Sequence, residues 1–132
     1  MSEEKKEFTL DDLFIGRNVK TISDKDDINM EKDGMVFVGA NYCGHSLIGS
    51  SAYESACSVI KQDGKNMDCY SLDINKKGGR QLAKNLHLPP VDGVPALIKY
   101  TAKDKKFDII ARGRRTSPQY LDILEGSESG GI

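Results

Sequence analysis

The chain has 132 residues, 38% of them apolar and 30% charged, which suits one globular domain with its own core. Its formal net charge of −1 offers no basic footprint, so nucleic acid is not expected as a partner. No apolar run approaches the roughly 18–20 residues of a membrane span, so no membrane partner is expected either.

Residues 1–17 read as a charged arm and a short helix. The first eight residues form the loose arm, and Thr9 caps a helical turn, LDDLFIG. That turn sets Leu10, Leu13 and Phe14 on one face and ends at Gly16. The start MSEEKKEFTLDD has no apolar core of the secretory type, which reads as an intracellular, cytoplasmic protein.

Residues 18–22, NVKTI, alternate as a short strand, and Ser23 opens an acidic first turn over DKDDINM. Residues 35–40 carry no polar side chain and read as a strand covered on both faces. They deliver Cys43 to a tight Cys43-Gly44-His45-Ser46 turn. A helix follows over 47–61, with Ile48, Ala52, Ala56 and Val59 at helical spacing and Tyr53, Cys57 and Ile60 alongside.

Residues 69–74 form the next strand and 79–86 the next helix, with Leu82, Ala83 and Leu86 apolar. Pro89-Pro90 and Gly93 make a loop, and 94–100 is a strand paired in a hairpin with 107–111. Thr116 or Ser117 caps a last helix that Pro118 starts, with Tyr120, Leu121 and Leu124 inward. Residues 126–132 read as a flexible tail. Crossover helices between early strands require parallel pairing, and the tight hairpin adds an antiparallel pair. The expected class is α/β: a mixed sheet of four to five strands between helical layers, ending in ββα.

Three cysteines are an odd number, which argues against a structural disulfide framework and leaves room for one reactive thiol. Cys43 occupies the first turn of a helix, where unpaired N–H groups and the helix dipole favour the thiolate, the reactive form of the group. A protonated His45 beside it would add to that effect. Cys57 lies about 20 Å further along the helix at ~1.5 Å per residue. A disulfide needs Cα atoms within about 7 Å, so Cys57 cannot partner Cys43. Cys69 falls at the opposite end of the sheet, and both are expected to be core residues.

The element order, the C-x-x-S at the second strand-to-helix junction and the Val94-Pro95 opening the next-to-last strand together resemble the thioredoxin superfamily over roughly 18–125. Cys43-Gly44-His45 looks most like the Cys-Gly-His-Cys site of protein disulfide isomerase domains. The resemblance implies a three-layer α/β/α sandwich and a thiol–disulfide oxidoreductase acting on protein thiols and disulfides. Cys43 would be the nucleophile, His45 its neighbour, and Ser46 would stand at the position of the resolving cysteine. It further implies a cis-proline loop at Val94-Pro95 that holds extended peptide segments as an added strand. Tyr42 and Gly44 would complete the substrate contact, and Arg115 would swing toward the thiolate. No metal is implied.

Five positions depart from that family pattern. Phe37 stands in place of a buried acid, Ser71 in place of its lysine neighbour, Tyr42 of a tryptophan, Leu47 of a lysine and Ser51 of a proline. Ser46 has three readings: a native monothiol enzyme, an engineered Cys→Ser change that traps a mixed disulfide, or a domain that only binds. A monothiol glutaredoxin-like protein using glutathione, and a non-catalytic peptide-binding module, stand as alternatives. Because the cytosol is kept reducing, a cytoplasmic isomerase-like protein suits an organism or large virus that makes disulfides there.

Overall fold

The computed structural model describes residues 8–14 and 17–126. Residues 1–7 of the charged arm, Gly16 at the end of the first turn and the tail from residue 127 therefore lie outside the described residues. The first turn is a 3-10 helix, Leu10–Leu13, with Thr9 as its cap. Leu10 and Phe14 are buried, but Leu13 stays exposed and faces a groove beside Arg17 and Leu47. Leu10 is seated where the backbone of Gly39 has no Cβ, since one built there would come within 2.7 Å of the leucine Cδ1.

Five strands and three α-helices follow: β1 (Lys20–Thr21), β2 (Gly34–Gly39), α1 (Gly44–Gln62), β3 (Asp68–Asp73), α2 (Gly79–Asn85), β4 (Ala96–Thr101), β5 (Lys106–Arg112) and α3 (Ser117–Leu124). The acidic turn before β2 is a 3-10 helix, Lys25–Asp27, capped by Asp24 rather than Ser23. The sheet order is β1-β3-β2-β4-β5. β2 runs parallel to β3 and antiparallel to β4, so the mixed sheet turns at its central strand.

Strand alternation divides the core in two. Met35, Phe37, Cys69 and Leu97 face the layer of α1 and α3, while Val36, Val38, Tyr70, Leu72 and Ile98 pack with Leu82 of α2 and Leu86 at its C-cap. Phe37 is fully buried, stacked on Tyr53 at 5.2 Å and set edge-on to Tyr120 at 6.2 Å. The Tyr53 hydroxyl lies within hydrogen-bond reach of the carbonyls of Met35 and Tyr70, at 3.1 and 3.0 Å, and bridges β2 to β3. Buried Asp73 accepts the N–H groups of Leu10 and Asn75, which satisfies a carboxylate that would otherwise be costly inside.

The buried stripe of α1 differs from the expected one. It comprises Ser46, Gly49, Ser50, Tyr53, Ala56, Cys57 and Ile60, whereas Ile48 is 57% exposed. Hydropathy spacing weights large apolar side chains, whereas the helix turns its Gly49 side to Phe37 and Pro95, which a Cβ there would meet in ordinary van der Waals contact at 3.4–3.5 Å. Thr116 caps α3, exchanging hydrogen bonds with Gln119 in a capping box, and Pro118 falls in its first turn.

A further correction concerns the cysteines. Cys57 and Cys69 are core residues, as expected, but they are bonded to each other, with Cα atoms 6.3 Å apart. A disulfide therefore exists where the odd cysteine count argued against one. Packing of α1 across β3 sets a helix residue over a strand residue, a juxtaposition that linear spacing does not contain.

Candidate active site

Buried β2 ends at Gly39, and the chain turns through a hydrogen bond from the Cys43 N–H to the Ala40 carbonyl at 3.1 Å. Cys43 is thereby the N-cap of α1, half-buried, and the one free cysteine of the chain. Its carbonyl accepts the Leu47 N–H at 3.0 Å and opens the helical ladder. The Cys43 thiol is held below its ordinary pKa. The Ser46 backbone N–H is the main cause, burial opposes it, and the Ser46 hydroxyl and the His45 N–H add to the lowering.

Ser46 is fully buried, and its Oγ accepts the Ala40 N–H at 3.2 Å. Across the cleft, the Cys43 Sγ donates to the Val94 carbonyl at 3.7 Å. The Val94–Pro95 bond is cis. The strand expected from residue 94 starts at Ala96 instead, because proline has no N–H for a ladder. Pro95 is buried, and its carbonyl accepts the Gly113 N–H at 2.8 Å, fixing the loop to the end of β5.

Tyr42, Gly44 and His45 are exposed around the thiol, and the imidazole makes no hydrogen bond or ion pair among the described residues. Exposed Ile48 lies in the second turn of the helix. Arg115 is not brought to Cys43: its guanidinium donates to the Arg112 carbonyl at 2.8 Å. Phe37 and Ser71 are register partners on β2 and β3 and are both fully buried, so no ionisable side chain occupies either place. Among the described residues the Ser71 hydroxyl has no hydrogen-bond partner. The Ala40 N–H is the participant that sequence reasoning missed, and a backbone donor leaves no signature in residue type.

Among the described residues, no cluster of His, Cys, Asp or Glu could hold a metal ion, and no helix is long and apolar enough to cross a membrane. No family model matches the chain, and no curated protein matches it in sequence. Solved structures do match. Chloroplastic thioredoxin z gives a TM-score of 0.63 at 18% identity, over 85% of this chain and 96% of that one. Form II of human ERp44 gives 0.66 at 15% identity, over 83% of this chain and 30% of that one. The first thioredoxin domain of mouse protein disulfide-isomerase A4 gives 0.63 at 17% identity, over 83% and 74%. The chain therefore has a thioredoxin-like α/β fold, of the kind found in thioredoxins and disulfide isomerase domains.

Proposed function

We propose that this chain is a thiol–disulfide exchange protein that acts on protein substrates through Cys43 and stops at the covalent intermediate. The observation that carries this reading is a free, half-buried thiol with a lowered pKa at the N-cap of α1, beside the Val94 carbonyl. In the reaction, the Cys43 thiolate attacks one sulfur of a substrate disulfide. A Cys43–sulfur bond forms, the substrate S–S bond breaks, and the departing sulfur leaves as a thiolate that takes a proton from solvent. In a disulfide isomerase-type site the second cysteine then attacks this intermediate. Ser46 offers a hydroxyl, which is not a nucleophile toward a disulfide, so release needs an external thiol.

Extended substrate segments would lie along the Val94-Pro95 loop as an added strand, with Tyr42 and Gly44 against the flanking residues. His45 would contribute from its exposed position, and Arg115 only after leaving the Arg112 carbonyl. The test is insulin reduction and refolding of a scrambled disulfide protein, comparing this chain with Ser46→Cys. Accumulated mixed disulfides for this chain and turnover for the variant are expected. Equal activity of the two chains would overturn the reading.

A further inference from the structure

The Cys57–Cys69 pair lies at the other end of the sheet from Cys43, where Cys69 is the register partner of Met35 at the start of β2. Its two residues are not equally exposed. Cys57 is only 1% exposed within the core, whereas Cys69 is 7% exposed and lines an open cleft of about 520 Å³. The sheet explains the opening. β1 pairs with β3 only at Lys20–Tyr70 and Thr21–Ser71, so Asp68 and Cys69 have no partner strand on that side.

Charge in the cleft is also uneven. Arg17, Lys20 and Lys61 line it and make no ion pair among the described residues. Its two acids are already engaged: Asp27 accepts the N–H groups of Ser23 and Asp24, and Asp68 is bound by Lys32 at 3.0 Å and by the Tyr70 hydroxyl. The cleft thus presents cations to an incoming anion next to Cys69 of the disulfide.

We infer that Cys57–Cys69 is a second thiol–disulfide couple, separate from Cys43, which small anionic thiols open from this cleft by attack on Cys69. The attacking thiolate forms a bond to the Cys69 sulfur and the Cys57–Cys69 bond breaks. Cys57 leaves as a thiolate and takes up the proton that the small thiol released. A second small thiol attacks the mixed disulfide, yielding the small disulfide and a Cys69 thiol. Two small thiols are oxidised and one protein disulfide is reduced.

The experiment uses the oxidised full chain carrying Cys43→Ala, so that the pair is its only sulfur couple. Without denaturant, it is treated with reduced glutathione, an anionic thiol, or with 2-mercaptoethanol, a neutral one, at matched thiolate concentration. The expected results are a glutathione adduct on Cys69 by peptide mapping and faster opening by glutathione. Adding Arg17→Glu and Lys20→Glu should slow glutathione about fivefold and 2-mercaptoethanol less, because the glutathione thiolate carries carboxylate charge in addition to its sulfur. Opening only in urea, an adduct on Cys57, or equal slowing of both thiols would overturn the inference.

Discussion

The Ser46 hydroxyl accepts the buried Ala40 N–H at 3.2 Å, so its own proton is left to the Cys43 sulfur. One side chain thereby closes the end of β2 and lowers the pKa of the thiol. Ser46→Ala removes both roles. The alkylation rate of Cys43 against pH should then shift its midpoint upward, toward the ordinary cysteine value. The orphaned Ala40 N–H should cost about 1–3 kcal/mol in thermal or urea unfolding. The sign of the linkage is that of a lowered acid. Cys43 stabilises the fold above its unfolded pKa, and that contribution is lost as pH falls through the folded value.

Restoring an acid in place of Phe37 should not restore a proton relay. Phe37 is fully buried and packs on the rings of Tyr53 and Tyr120, facing an unpartnered Ser71 hydroxyl rather than a cation. Phe37→Asp should lose about 3–5 kcal/mol from the cavity alone, with the buried carboxyl adding to that loss. Urea unfolding followed by circular dichroism measures the loss. A well-folded variant with faster thiol exchange would contradict this account of the position.

The Cys57–Cys69 bond closes a short loop, with a sequence separation of 12, and ties α1 to β3. Cys57→Ala combined with Cys69→Ala should cost about 2–5 kcal/mol of unfolding free energy. Calorimetry of the double variant against the oxidised chain tests this, and identical melting temperatures would show that the bond adds no stability.

At alkaline pH the tyrosines should limit stability. Burial pushes Tyr70 up to about 12 and raises Tyr53 and Tyr120 as well. An acid with a raised folded pKa keeps its proton in the native state after the unfolded chain has lost it. Stability is therefore full below the ordinary value of 10.0 and falls as pH rises from there toward about 12. Tyr70→Phe should flatten that decline, as read from melting temperature against pH, at the cost of the hydrogen bond from the Asn29 N–H.

Local pattern alone determined the order of strands and helices and the place of Cys43, although the strand read over 18–22 is only the two-residue β1. The unbroken apolar run of β2 and the Thr116-Pro118 cap depend on contacts over a few residues, which residue type encodes directly. The pairing of Val94-Pro95 with the Cys43 turn was legible through resemblance, because that motif comes with its topology.

Three features were decided only by the tertiary structure. The inward face of α1 runs through Gly49 and Ser50, on the side that meets Phe37 and Pro95, and leaves Ile48 outside, an orientation set by packing against the sheet rather than by hydropathy. Ser46 gained a buried acceptor role from a backbone N–H that no residue type announces. Cys57 met Cys69 because a helix crossing a strand joins positions whose distance depends on packing angle rather than on spacing.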